Sequence, residues 1–145
     1  MIRKRLPDHD KTILKLVQTL LLPYARVTQP YLKVDLKTIR KRLRGSMAFV
    51  HVNSGREVGG FVAIKHEKNA MYIDMLAVHP RYQSQGIGTG LLKHAERSAE
   101  LAGRREVYLW VDDTNLQAQR FYASKRYEPV HYDAKIRCYL LRKQI

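Results

Sequence analysis

What the chain has little of narrows its class first. Cys138 is the only cysteine among 145 residues, so no internal disulfide can form, and a reducing compartment, the cytoplasm, is the expected setting. No apolar run approaches the length of a membrane span, so no membrane partner is expected. The six histidines show no metal-ligand spacing, and with no cysteine cluster beside them no metal is expected. Nucleophile motifs are missing as well, since no G-x-S-x-G turn occurs and Cys138 falls in the last predicted strand. Carboxylates are scarce: 13 Asp and Glu stand against 27 Lys and Arg, a net charge of +14.

That charge is uneven. Residues 1–45 hold 12 Lys and Arg against 3 Asp and Glu, so the excess sits in the first third. Such a patch attracts anions: an acidic acceptor, a nucleic acid or a polyanionic coenzyme. A plain, solvated basic surface is the alternative. The length and the 45% hydrophobic content suit one domain over residues 1–145, as a monomer or a homodimer. Arg3, Lys4 and Arg5 ahead of the apolar Ile13–Leu22 imitate a signal peptide. Asp8, Asp10, Lys15 and Gln18 interrupt the pattern and no cleavage site follows, so an amphipathic helix is expected there.

Read in order, Met1–Leu6 predicts a short strand. Asp8 or Asp10 then caps a helix to about Leu22, with Ile13, Leu14, Val17, Leu20 and Leu21 inward and Pro23 closing it. Tyr24–Asp35 reads as irregular, and Leu36–Arg44 as a basic helix stopped by Gly45. The period then changes to two. Met47–Val52 and Glu57–His66 form a hairpin around Asn53-Ser54-Gly55, and Lys68-Asn69 turns the chain into a central strand with the apolar run Met75–Val78. A helix with Leu91, Leu92, Ala95, Ala99 and Ala102 at helical spacing ends at Gly103. Val107–Val111 should lie parallel to the central strand through a right-handed crossover. Thr114 or Asn115 caps a helix through Ser124, and Tyr127–Tyr132 and Ile136–Leu141 close the sheet as an antiparallel pair.

The stretch Ile73–Leu92 organises the rest. Pro80 ends the central strand, and Gly86, Gly88 and Gly90 bring the backbone close to a ligand at a helix N-terminus, where free N–H groups and the helix dipole stabilise an anion. A nucleotide-triphosphate loop is excluded because Leu91 and Leu92 follow Gly90 where Lys and Ser or Thr are needed. A dinucleotide fold gains some support from Asp112 and Asp113 at the end of the next strand. It fails on spacing, since seven residues separate Val78 from Gly86 and the third glycine comes early.

Gln83-Ser84-Gln85-Gly86-Ile87-Gly88 resembles the Q/R-x-x-G-x-G/A signature of the GNAT superfamily of acyl-CoA-dependent N-acyltransferases. Leu76-Ala77-Val78-His79-Pro80 resembles the strand before it. Asn115-x-x-Ala118-x-x-Phe121-Tyr122 resembles the family's second signature, N-x-x-A-x-x-F/L-Y. The resemblance runs from end to end. It implies an α/β GNAT-like fold with a mixed central sheet of about seven strands and about four helices. The activity it implies is an N-acetyltransferase that uses acetyl-CoA as co-substrate and a small-molecule or protein amine as acceptor. One departure stands out: Arg126-Tyr127 replaces the usual Gly-Phe pair after the second signature.

The residues then take expected roles. The loop Gln83, Ser84, Gln85, Gly86, Ile87, Gly88, Thr89, Gly90 would hold the coenzyme, with its pyrophosphate on the amides of Gln85 to Gly90. The pantetheine arm would pair with the backbone of Leu76, Ala77 and Val78 as an added strand does, and an N–H there would polarise the thioester carbonyl. Asn115 and Tyr122, two helical turns apart, share a face toward the coenzyme, and the resemblance implies Tyr122 as general acid. For the general base Asp74 is the candidate, an acid in an apolar strand on the face of Leu76 and Val78, where burial favours its neutral form. Pairing with an Arg or Lys is its structural alternative. His79, before a proline, is a weaker candidate. Trp110, Tyr24 and Tyr31 would line the acceptor pocket, between the N-terminal helices and the loop after the fifth strand. Two other classes stay open: a coenzyme-binding regulatory module without turnover, and a basic nucleic-acid-binding domain, for which no reading motif exists.

Overall fold

Stretches with alternating apolar residues become β1 (Ile2–Lys4), β2 (Met47–Val52), β3 (Val58–Glu67), β4 (Ala70–Val78), β5 (Glu106–Asp112), β6 (Glu128–Asp133) and β7 (Cys138–Gln144). In the computed structural model, which describes all 145 residues, they form one mixed sheet in the order β1-β2-β3-β4-β5-β7-β6. Only β4 and β5 are parallel, joined by the crossover helix α4 (Ile87–Leu101). The first helix is a run of three pieces: α1 (Asp10–Leu16), a π turn (Val17–Leu21) and α2 (Leu22–Ala25). With α3 (Leu36–Arg44) and α5 (Leu116–Ser124), the chain has four helical runs, matching the GNAT-like architecture expected.

The helices divide between the two faces of the sheet. Ile13, Leu16 and Val17 of the first run and Ile39 and Leu43 of α3 pack on Val50, Phe61, Ala63 and Met75. On the other face Leu91, Leu92, Ala95 and Ala99 of α4 pack on Val62, Ile64, Met71, Ile73, Val107 and Leu109. Each such Leu or Ile, fully buried, contributes about 1.5–3 kcal/mol of hydrophobic stabilisation. α3 begins where Asp35 accepts a hydrogen bond from the Thr38 N–H and ends at Gly45, as the sequence predicts.

Two expectations about the first helix are corrected. Neither Asp8 nor Asp10 caps it. The side-chain bond at the entry is the Leu6 N–H donating to His9 Nδ1, while Asp10 is fully buried inside the first turn. Pro23 does not close the run. It stands in the first turn of α2, where its missing N–H costs little because the π turn has already interrupted the regular ladder.

A third correction concerns β4. Ala63 faces Met75 and Ile64 faces Ile73, so Asp74 has no partner across the β3–β4 ladder and forms a bulge. The bulge exchanges the faces of the strand. Met71 and Ile73 lie in the α4 core, but Met75 and Ala77 lie in the core under α1 and α3. Leu76 and Val78 pack with the α4 core, while Asp74 pairs with Arg42 of α3 on the opposite side. Asp74 therefore does not share a face with Leu76 and Val78, because a simple alternation of period two does not survive an extra residue.

Asp10 ties α1, α3 and the end of β1 together. Arg5 donates to both its oxygens at 2.6 Å, and Arg40 Nε donates at 3.1 Å. Burial alone would raise this carboxyl, but the hydrogen bonds and charges of Arg5 and Arg40 outweigh it and hold it below the usual carboxylate value. Asp10→Ala should therefore destabilise the protein by about 3 kcal/mol at neutral pH, since it leaves two guanidinium groups without their anion. A depressed carboxyl stabilises the fold above its unfolded titration range and loses that contribution as pH falls through its folded value. The difference between the denaturation midpoints of wild type and Asp10→Ala should accordingly shrink on going from about pH 7 to about pH 3.

Candidate active site

The parallel ladder between β4 and β5 runs from Ala70 opposite Glu106 to Ile73 opposite Leu109, and stops. Beyond it the two strands part, so the edge of Asp74–Val78 that faces β5 has no strand partner, although β3 continues to pair on the other edge. The chain then leaves β4 through a short turn in which His79 Nδ1 accepts from the Arg81 N–H. Gln83 Nε2 donates to the Val78 carbonyl at 3.1 Å, and Gln117 Nε2 of α5 donates to Gln83 Oε1 at 3.3 Å. The glutamine of the first signature thus fastens the glycine loop to the end of β4 and to the helix of the second signature.

Ser84 and Gly86 both adopt left-handed φ, +65° and +80°. Alternation of hand along a loop turns successive N–H groups into one concavity that suits an anion. Helix α4 starts there, and its first internal bond is the Gly90 N–H to the Gly86 carbonyl. The N–H groups of Ile87, Gly88 and Thr89 consequently have no helical acceptor. Of the three glycines only Gly86 is required by its φ. At Gly88 a Cβ would meet Phe121 and Val78 at 3.5 Å beside the cleft, and at Gly90 it would meet only Ile2 at 3.7 Å.

A cleft of about 380 Å³ passes through the gap between the strands. Leu20, Leu21 and Tyr24 reach it from the α1–α2 side, and Gly88, Asn115, Ala118, Phe121 and Tyr122 from the α4–α5 side. One opening is reached from both faces because the sheet is parted there. Asn115 caps α5, its Oδ1 accepting from the Ala118 N–H at 3.1 Å.

Tyr122 is 7% exposed and lines the cleft. Burial alone pushes its phenol above the ordinary tyrosine value; no hydrogen bond or charge adds to the effect. Its ring is held edge-on between Phe121 and Tyr127. The turn that brings Tyr127 back is kept without glycine: Arg126 takes φ +72°, and the Tyr127 N–H donates to the Tyr122 carbonyl at 3.0 Å. Tyr127 is anchored in turn, its hydroxyl donating to Glu96 at 2.8 Å, and Lys143 pairs with the same carboxylate at 3.0 Å.

The predicted site residues divide accordingly. Leu76, Ala77, Val78, Gln83, Ser84, Gly86, Gly88, Thr89, Asn115, Tyr122 and Tyr24 line the cleft. Ile87 is instead buried in the core, Gln85 turns its amide back to the Arg81 carbonyl, and Gly90 faces Ile2. Tyr31 stands 94% exposed on the loop before α3, away from the cleft. Trp110, 43% exposed, does not line the cleft either, because alternation along β5 sends it to the face opposite Val111, against His131 of β6. Asp74 is not an isolated acid: Arg42 donates to both its oxygens, at 2.9 and 3.0 Å.

Asp112 was read only as the ribose acid of a rejected fold. It shares the face of Trp110, against Cys138 of β7, and like Trp110 it does not line the cleft; it has no cationic partner, and burial raises its carboxyl. Cys138, opposite it on β7, donates its thiol to Asp112 at 3.5 Å; burial and then the Asp112 charge push that thiol up to about 12. Strand alternation from Trp110 was the available signal. Leu20 and Leu21, expected on the inner face of the helix, pack against the core under α1 and α3 and also line the cleft.

Residues 14–126 match the acetyltransferase (GNAT) family. A protein of Archaeoglobus fulgidus named as an uncharacterized N-acetyltransferase is 38% identical over 76 residues, covering 48% of this chain and 52% of that protein. Streptothricin acetyltransferase of Streptomyces lavendulae is 30% identical over 83 residues, covering 56% of this chain and 43% of its own. The chain thus spans about half the length of these curated relatives. Among solved structures, Ard1 from Thermoplasma volcanium superposes with TM-score 0.80 at 19% identity, covering 100% and 97% of the two chains. The PaiA N-acetyltransferase from Thermoplasma acidophilum, in complex with coenzyme A, superposes with TM-score 0.77 at 18% identity, covering 100% and 98%. These likenesses establish the fold.

Gly86→Ala should cost about 1 kcal/mol, because its backbone is left-handed. Gly90→Ala, at an unstrained helical position with room for a methyl group, should gain about 0.5–1 kcal/mol. Urea unfolding of the two variants checks the opposite signs.

Proposed function

The chain belongs to the GNAT acetyltransferase family, and from that premise we propose that it transfers the acetyl group of acetyl-CoA to a primary amine by direct attack. The observation that carries this reading is the parted pair β4 and β5, with free amides at one end of the gap and the Tyr122 hydroxyl in its wall. The N–H groups of Ile87, Gly88 and Thr89 hold the pyrophosphate, and the open edge of Leu76–Val78 pairs with the pantetheine amides. An N–H of the same edge polarises the thioester carbonyl.

Acceptor nitrogen forms a bond to the acetyl carbon as the carbon–sulfur bond breaks. Tyr122, kept neutral by burial, gives its proton to the departing thiolate. The proton of the incoming ammonium passes to water in the cleft, since Arg42 already occupies both oxygens of Asp74 and Asp112 does not line the cleft. The acceptor is a small-molecule or protein amine that enters along the sheet face where Trp110 and His131 are exposed. The lone thiol suits a reducing, cytoplasmic setting.

Purified protein should release coenzyme thiol from acetyl-CoA in the presence of members of an amine panel. Calorimetry should give one acetyl-CoA site per chain, and no binding at millimolar acetyl-CoA would sink the reading. Tyr122→Phe should lower kcat by about a hundredfold with KM for acetyl-CoA nearly unchanged, the signature of a lost general acid. An unchanged kcat would point to another proton donor.

Steady-state rates measured across pH test the route of the proton: Asp74→Asn and Asp112→Asn should both keep the profile of the wild type, and loss of an acid limb in either variant would identify a carboxylate base instead.

A further inference from the structure

Cations outside the cleft are distributed in a way the proposed chemistry does not use. Three of the 12 Lys and Arg in residues 73–145 pair with carboxylates, Arg137, Arg142 and Lys143, so the first third differs in the density of its cations and not in the share that is matched. Of the 12 Lys and Arg in residues 1–45, only Arg5, Arg40 and Arg42 have a carboxylate partner. The remainder concentrate on the outer surface of two helices that lie side by side, clamped by Asp10 between Arg5 and Arg40.

On α3, Ile39 and Leu43 are buried, so Lys37, Lys41 and Arg44 fall on the opposite, solvent-facing stripe and all three are exposed. Their spacing of four and three residues stacks them one turn apart, about 6 Å and 4.5 Å along the axis. Lys11 and Lys15 repeat the pattern, exposed and one turn apart on α1. Like charges at these spacings oppose helix formation by a few tenths of a kcal/mol per pair, so the arrangement is stabilised when an anion is laid across it.

Three features choose among anions. The charges form a line, which suits a chain of phosphates rather than one acidic group. The stripe carries no apolar residue that would enter a lipid surface, as a membrane-binding helix requires. Tyr31, 94% exposed, stands on the loop that leads into α3, between Arg26 and Lys33. A solvated aromatic among cations is the element on which an unpaired base stacks.

We propose that the outer faces of α1 and α3, with the Tyr31 loop, are a docking surface for single-stranded nucleic acid. Cations at Lys37, Lys41 and Arg44 track the phosphates, and Tyr31 stacks a base. The docking surface itself does not depend on the chemistry of the cleft.

The test is fluorescence anisotropy of the full chain with a labelled single-stranded RNA of mixed sequence, about 20 nucleotides long, over a range of salt concentrations. Wild type should bind with affinity that falls linearly on a log–log salt plot. The triple variant Lys37→Glu, Lys41→Glu, Arg44→Glu should bind at least about tenfold more weakly near 0.1 M salt, with a slope shallower by about 2, the value for three lost single-strand phosphate contacts. Tyr31→Ala should weaken binding at unchanged slope. Acetyl-CoA titration and thermal unfolding of both variants, expected to match wild type, separate a lost surface from a lost fold. Failure of wild type to bind at low salt would overturn the proposal, as would equal binding by a correctly folded triple variant. Equal or tighter binding of a duplex of the same length, or of vesicles of anionic lipid, would overturn it too.

Discussion

Buried backbone polar groups must be paired, and the middle of a parallel sheet is where leaving them unpaired is hardest. Here β4 loses β5 after Ile73 and Leu109, and the neighbouring structure is arranged around the groups set free. The bulge at Asp74 lets β4 remain bonded to β3 while its course changes. Gln83 takes up the Val78 carbonyl, α5 supplies one wall through Asn115, Phe121 and Tyr122, and the first helical run supplies the other. Left open along part of its edge, β4 offers the pairing an extended amide-bearing ligand would complete.

The rigidity of that opening comes from tethers outside it. Tyr122 is placed by Tyr127, which answers to Glu96 and Lys143 on α4 and β7, so a helix of nine residues is held at both ends. The left-handed Arg126 costs about 1–2 kcal/mol, which the burial of Tyr127 offsets. On the other face Asp10 and Asp74 each hold a cation of α3, one from the side of α1 and one from β4, fixing the helix that bears the exposed basic stripe.

Order of elements, the parallel pair with its crossover, the hairpin and the second-signature helix were legible in the sequence, because period, turn residues and caps are local signals. Asn115 and Tyr122 were legible for the same reason: seven positions on a helix settle a shared face. Asp74 was misplaced because a bulge leaves no mark in the alternation that strand reading relies on. Asp10 looked like a cap and proved to be buried, since its partner Arg40 lies 30 residues away and only the fold brings them together. Trp110 and Tyr31 were assigned by residue type. Which way β5 turns its indole, and that residues 26–35 hold Tyr31 in solvent, follow from packing that composition does not contain.

The π turn at Val17–Leu21 has a consequence for how such a chain can diverge. It accommodates a residue more than a regular helix would, in the segment that supplies Leu20, Leu21 and Tyr24 to the cleft. Deleting one residue there would restore α-helical winding and leave Tyr24 nearly in place, because the π turn holds one residue more in a turn, so only the side chains within the turn would be exchanged at the wall. The glycine loop, β4 and α5 would not move. Lineages can thus exchange part of the cleft wall through a one-residue insertion or deletion in this helix while the sheet keeps its register.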